Sequence, residues 1–409
     1  MTREFELKKI IKCKNLIYDA DLDPIQNAII VVDGQFILEV GTENQISIPD
    51  NAEIIDCSNE TVLPGLIDSH SHITANYIYN ESLEEQHSSD LTTASLRGSM
   101  NLRSDMNMGV TTMRTLGDQK DVELRFKRSI DEGVIPGPRL IISIRALRPS
   151  HGTAPFLATA TDGAHDLRVR IRENYSMGAQ CVKLFATNIA NGNHYEDYLR
   201  GDLTGTSAYT QPELEAAIDE AHTLGMTIAA HAIGGPSMRW AMELGIDSIE
   251  HGNMLEEQDL EIFLKNKTFL SDPNLQLFFD HETGFPSRDN WNVDWWQKKV
   301  IEARERSAKL IPELVKAGGK ICLAGDSGHS VLWREMMHMV NIGCSTKDAL
   351  LSVTKNSAEL LKMNHLIGTI EKGKFADIIS VKGNPLTDIT VMQNVNLIMK
   401  EGKIYKDLI

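Results

Sequence analysis

His70 and His72 stand one residue apart at the end of an apolar run, 62–67. On an extended strand that spacing puts both imidazoles on one side, because successive side chains alternate between faces. Lys183 falls within the run 181–185, His231 follows 227–230, His251 follows 248–250, and Asp326 lies just past 321–324. Singly, each has a plain structural reading: a strand-end histidine usually makes an ordinary hydrogen bond, a lysine is usually solvated, and Asp326 before Ser327-Gly328 can cap a turn. Together, at the ends of five strands, they form a set of imidazole and carboxylate donors suited to divalent cations.

Four neutral imidazoles and one aspartate are enough to hold two divalent ions. An ammonium at Lys183 would fit poorly there. At ~4 Å and an effective dielectric of about 20, a dication repels it by about 8 kcal/mol, twice the value for two unit charges. Reaction of Lys183 with carbon dioxide would reverse that sign, since the resulting carbamate offers two oxygens able to bridge two metals.

These residues need a scaffold that gathers strand ends. Apolar runs at 62–67, 110–114, 140–144, 181–185, 227–230, 248–250, 268–270 and 321–324 alternate with amphipathic stretches at 91–108, 122–132, 166–177, 211–224, 235–244, 259–265 and 296–317. Eight strands alternating with helices predict an α/β fold, a (β/α)8 TIM barrel over 61–365, whose chemistry sits at the C-terminal strand ends. The helix from 211 has Thr210 placed to cap it, Pro212 in its first turn, an apolar face of Leu214, Ala217, Ile218 and Ala221, and Gly225 at its end. Short β-rich runs at 10–17, 28–32, 36–40, 368–370, 376–381 and 395–400 lie at the two chain ends. They predict a small β-sandwich domain built from residues 1–60 and 366–409. Segments 188–209 and 271–295 exceed the ~12–15 residues of ordinary loops. The second carries Phe278, Phe279, Phe285, Trp291 and Trp295, and that apolar density predicts an ordered, packed loop rather than a free linker.

The chain has 409 residues, 42% hydrophobic and 24% charged, in the range of a globular protein with a sizeable core. A net charge of −16 without clustered Lys or Arg argues against nucleic acid or an anionic membrane as partner. No apolar run reaches the roughly 18 residues of a membrane span, and the charged start Met1-Thr-Arg-Glu-Phe-Glu does not read as a signal peptide, so a cytoplasmic location is expected. Cys13, Cys57, Cys181, Cys322 and Cys344 are odd in number and scattered, which predicts buried thiols rather than a disulfide framework.

The motifs Pro64-Gly-Leu-Ile-Asp-Ser-His-Ser-His72, Gly109-Val-Thr-Thr112, Val182-Lys183-Leu184, Ala230-His231-Ala232, Ser248-Ile-Glu-His-Gly252 and Gly325-Asp326 resemble the amidohydrolase superfamily. Gly373-Lys-Phe-Ala-Asp-Ile378 and Gly383-Asn-Pro-Leu386 extend the resemblance to the C-terminal segment. The lysine is similar to that of the binuclear branch containing Xaa-Pro dipeptidases, arginine carboxypeptidases and imidazolonepropionase-related proteins. The resemblance implies His70, His72 and Asp326 on one metal, His231 and His251 on the other, and carboxylated Lys183 between them. It implies two divalent ions, with zinc favoured by the ligand types. Two stretches depart from the family pattern. Arg148-Pro-Ser-His-Gly152 stands where relatives usually carry Gly-Gly-His, and Ala324-Gly-Asp-Ser-Gly328 where Gly-Thr-Asp-Ala-Gly is common.

The chemistry that follows is hydrolysis of an amide or peptide bond in a dipeptide or N-acyl amino acid. A metal lowers the pKa of bound water from 15.7 to about 7, and the bridging hydroxide attacks. Asp326 moves the proton to the leaving nitrogen. His151 and Tyr209 are the candidate donors to the oxyanion. Arg148, Arg200 and Arg288 are candidates for a substrate carboxylate, although each also reads as a surface residue. A cyclic amide or imidazolone-type ring hydrolase or a deaminase is the alternative. A barrel scaffold without metals ranks below both, because all six ligand positions are intact. The expected partner is a small-molecule substrate, and assembly as a homo-oligomer is compatible with the fold.

Overall fold

The computed structural model describes residues 7–49, 51–79, 81–187, 207–288 and 294–405. Strands form at all eight apolar runs of the central region: Leu66–Ser71, Val110–Thr115, Arg139–Ile142, Cys181–Phe185, Thr227–Ala232, Ser248–His251, Phe269–Ser271 and Ile321–Cys322. The first three form a parallel three-stranded sheet. The other five, with the two-residue strands Leu147–Arg148 and Thr159–Ala160, form a parallel seven-stranded sheet. The expected closed ring is therefore two ladders. Sparse backbone hydrogen bonds meet at their edges: Gln180 N–H to Ile142 O at 2.8 Å on one side, and Asp326 N–H to His70 O at 2.9 Å and His72 N–H to Asp326 O at 3.0 Å on the other.

The run 62–67 proves to be the end of one strand and the start of another. Glu53–Pro64 belongs to the terminal sheet and Leu66–Ser71 to the parallel set. Gly65 makes the switch. Its N–H bonds Asp377 O at 2.9 Å, and a Cβ there would collide with the Thr111 side chain.

The helix Gln211–Thr223 starts as expected. The Glu213 carboxylate accepts from the Thr210 N–H at 2.8 Å and from its hydroxyl at 2.6 Å, while Leu214, Ala217, Ile218 and Ala221 are buried. Short helices at Leu83–Ser88, Leu275–Phe279, Leu332–Asn341, Thr346–Ser352 and Lys355–Leu360 were not anticipated.

The chain ends do meet. Lys9–Leu16, Ile25–Asp33, Phe36–Thr42 and Glu53–Pro64 pair with Ile378–Val381, Val395–Lys400 and Lys403–Tyr405 in one mixed seven-stranded sheet. Hydrogen bonding is continuous across it, with no second stacked sheet among the described residues. The stretch 368–370 forms no strand. Alternation gives the sheet two apolar faces: Ile11, Cys13, Ala28 and Ile30 on one, Ile10, Ile29 and Val31 on the other.

All five cysteines are free and buried. No helix among the described residues is long and apolar enough to cross a membrane.

Candidate metal centre

The parallel strands deliver their polar ends to one place. His70 is the penultimate residue of the first strand of the set and His72 follows that strand, with Nε2 atoms 3.3 Å apart and both side chains buried. Lys183, buried within Cys181–Phe185, brings Nζ to 3.3 Å from His70 Nε2. The His251 ring lies 5.2 Å from that of His70 and 4.8 Å from that of His231. Asp326 Oδ1 stands 3.5 Å from His72 Nε2. All six residues singled out as ligand candidates are thus neighbours. Donor atoms of His70, His72 and Asp326 lie within 4.8 Å of one another, as do those of His70, His251 and Asp272.

Bent backbone delivers several of these groups. His251 (φ 76°), Asp272 (48°), Asn274 (54°) and Asp326 (54°) adopt the left-handed region, which Asn, Asp and His tolerate better than most residues. Ile144, past the third strand, does so at 68°, and a β-branched side chain there is strained.

A buried polar layer behind the rings fixes their orientation. His72 Nδ1 donates to Gly117 O, which leaves Nε2 with its lone pair toward the cluster. His70 Nδ1 lies 2.9 Å from Asp272 Oδ2 and 3.1 Å from Glu250 Oε2. His251 Nδ1 lies 3.3 Å from the same Asp272 oxygen. Arg114, fully buried, donates to Glu250 Oε1 at 2.7 Å, to Ser248 Oγ at 3.1 Å and to Ser271 Oγ at 3.2 Å. Sequence reasoning passed over Arg114, Glu250 and Asp272. The available signal was an arginine ending an otherwise apolar strand, and an acid immediately before His251.

Burial holds His72 and His231 well below the usual imidazole range, so both are neutral donors. For His70 burial also pushes down, but Asp272 and Glu250 outweigh it and its pKa rises. Burial drives the Lys183 ammonium down to about 8, against the opposing pull of Glu250 and Asp326. Burial would raise Asp326, but His70, His72, His251 and Lys183 overcome it and keep the carboxylate ionised.

The remaining candidates divide. Tyr209 is buried with a hydroxyl that has no hydrogen-bond partner among the described residues, and burial raises its pKa, so it remains a phenol. His151 is exposed, and no hydrogen bond or ring contact joins it to the cluster among the described residues. Arg148 is committed to its own loop, donating to the carbonyls of Ala158, Pro149, Ser150 and Gly152 at 2.8–3.3 Å. Arg200, Trp291 and most of 188–209 lie outside the described residues. Arg288 sits over the Tyr77 ring at 4.9 Å, and Tyr77 Oη donates to Asp326 Oδ2 at 3.0 Å. The segment carrying it is partly helical, with Phe278 and Phe285 rings edge to face at 5.2 Å.

Comparison with known proteins points one way. The amidohydrolase family model matches residues 61–405. An ochratoxinase from Aspergillus niger is 24% identical, covering 98% of this chain and 87% of its own length. An imidazolonepropionase from a Geobacillus species is 22% identical over 94% of this chain and 93% of its own. The solved structure of a Xaa-Pro dipeptidase with methionine bound in its active site superposes with a TM-score of 0.84 at 27% identity, covering 98% of this chain and all (100%) of that one.

Proposed function

The chain belongs to the amidohydrolase family, and from that premise we propose that it cleaves an amide or peptide bond in a dipeptide or N-acyl amino acid. The observation that carries this is the convergence of His72 Nε2 and Lys183 Nζ on His70 Nε2, each at 3.3 Å in a buried pocket with Asp326 beside them. Three nitrogens that close, backed by carboxylates on the far edge of the His70 ring, suit a cation between them.

In this reading His70, His72 and Asp326 would hold one divalent ion and His231 and His251 the other, with carboxylated Lys183 as a ligand shared between them. Two such ions, zinc by preference, supply an activated water and a Lewis acid for the carbonyl. Lys183 must be a neutral amine to add to carbon dioxide, forming an N–C bond and releasing a proton. A pKa of about 8 makes that form accessible near neutrality. The ionised Asp326 carboxylate accepts the proton of the attacking water and hands it to the leaving nitrogen. Tyr209 and His151 are the proposed donors to the tetrahedral oxyanion, and the buried, unpartnered hydroxyl favours Tyr209.

We further infer that residues 61–365 act as a (β/α)8 barrel, carrying the site at its C-terminal end, with 1–60 and 366–409 as a small β domain. The likeness to an imidazolonepropionase favours hydrolysis of a cyclic amide as the second reading.

Metal analysis of the purified protein tests the first step, with close to two divalent ions per chain expected. A panel of dipeptides, N-acyl amino acids, lactams and lactones tests the second. Turnover of lactones or aminated rings alone would defeat the amidase reading.

A further inference from the structure

The two oxygens of Asp326 have different surroundings. Oδ1 faces His72 Nε2 at 3.5 Å and accepts from Ser327 Oγ at 3.2 Å, whereas Oδ2 accepts from Tyr77 Oη at 3.0 Å. The phenol is held on three sides. Its backbone N–H bonds Ser327 O at 3.0 Å, and its ring lies against Gly328, where an added Cβ would come within 3.4 Å of Cδ2. The Arg288 guanidinium covers its face at 4.9 Å while also sitting 5.3 Å from the Phe285 ring.

Arg288 is carried by a segment anchored to the helix Leu332–Asn341. Asp280 pairs with Arg334 at 2.7 Å and with His338 at 3.1 Å, and the Glu335 carboxylate accepts from Leu275 N–H and Gln276 N–H at 3.0 and 2.6 Å.

We propose that Tyr77 is a positioning residue that fixes which Asp326 oxygen faces the metal donors, with Arg288 holding the phenol in place from the segment above. A carboxylate pinned at Oδ2 presents Oδ1 alone to the cluster. Without that bond Oδ2 keeps only the longer contact from Asn274 Nδ2 at 3.5 Å, and the carboxylate's terminal torsion is a soft one. The inference rests on reading the cluster as a metal centre.

Cobalt(II) alone is the probe, because its visible bands report the geometry and donor strength of its ligands. Parent, Tyr77→Phe and the control Tyr175→Phe, altered at an exposed ring (48%), are titrated with cobalt and their spectra compared. Tyr77→Phe is expected to shift the visible bands and weaken cobalt binding by about 10–100-fold, as loss of a partner behind a ligand commonly does. Tyr175→Phe should match the parent. A parent that takes up no cobalt overturns the metal reading and this inference with it. A parent that binds cobalt, with Tyr77→Phe identical in spectrum and affinity, overturns this inference alone. Should Tyr77→Phe lose its native near-ultraviolet circular dichroism, Arg288→Gln decides. It keeps the hydroxyl and removes the cap, so shifted bands support the assignment and unchanged ones overturn it.

Discussion

Glu250 Oε2 stands 3.1 Å from His70 Nδ1, on the ring edge opposite the nitrogen that faces Lys183. The other Glu250 oxygen is taken by Arg114 at 2.7 Å, and both of these side chains are fully buried. The ligand candidate thus has, against its outer ring edge, a carboxylate that is itself held by a guanidinium.

Arg114→Met should therefore be among the most destabilising single changes in the chain. It leaves the Glu250 carboxylate buried without its cation, a loss of about 3–5 kcal/mol when one member of such a pair is removed. Denaturant unfolding of parent and variant measures it, and a difference below about 1 kcal/mol would contradict the assignment.

Glu250→Gln acts on orientation rather than on charge balance alone. The amide can still accept from Arg114 but holds the His70 Nδ1–H less strongly. Affinity for zinc, measured by chelator competition, should fall about 10–100-fold, and the unfolding midpoint should fall with it, because the buried Arg114 guanidinium loses its counter-charge.

Lys183 makes a prediction about carbon dioxide. Metal uptake by the parent, stripped and reloaded, should rise when bicarbonate is added, and carbon-13 bicarbonate should give a carbamate resonance. Lys183→Met should show neither response. Bicarbonate-dependent loading that survives the substitution would remove the carbamate from the account.

Much of this was legible in the chain itself. The eight runs and the six candidates could be read because an apolar strand interior and a polar strand end leave a pattern in one dimension. The Pro64–Leu66 junction was missed because periodicity cannot see a switch between two strands that share one apolar run. Arg114 and Asp272 were missed for a different reason: their meaning lies in partners 136 and 202 residues away, Glu250 and His70. Arg148 went the other way, since an arginine in a loop says nothing in sequence about the carbonyls it will bind.

The switch at Gly65 is testable. Gly65→Ala puts a methyl into the Thr111 side chain, and overpacking of this kind costs about 1–3 kcal/mol. The Thr111→Ala background removes Oγ1 and Cγ2, the two closest atoms, but leaves Cβ at 2.9 Å, so part of the loss should be recovered in the double variant. Equal losses in both backgrounds would point to backbone strain instead.

Asp280 sets the acid stability of the segment that carries Arg288. Burial would raise its pKa, but bonds from His338, from the Glu282 and Thr283 amides and from Arg334 prevail and depress it strongly. A depressed folded-state value means the contribution is complete above the unfolded value near ~3.9 and is lost as the pH falls through the folded one. Asp280→Asn should therefore lower the melting temperature at pH 7, and the gap to the parent should close below about pH 3.9. A gap that is constant with pH would assign the loss to packing.

Asp326 has two tasks in the proposed chemistry, and one substitution separates them. Its carboxylate lies against His72 and is kept ionised by four neighbouring cationic or imidazole groups in spite of burial. Asn keeps an oxygen of similar size at that position but cannot take up and release a proton near neutral pH. Asp326→Asn should retain most of the bound metal, because His70, His72, His231, His251 and Lys183 remain, while turnover falls by at least about 100-fold, the lower range for loss of a general base. Metal content by elemental analysis and rates on any substrate the parent accepts are measured on the same sample. If turnover survives with metal retained, the proton passes through another group. If metal and turnover are lost together, Asp326 acts chiefly as a ligand, and Asp326→Glu, which restores the carboxylate one methylene further out, should then recover metal and some rate.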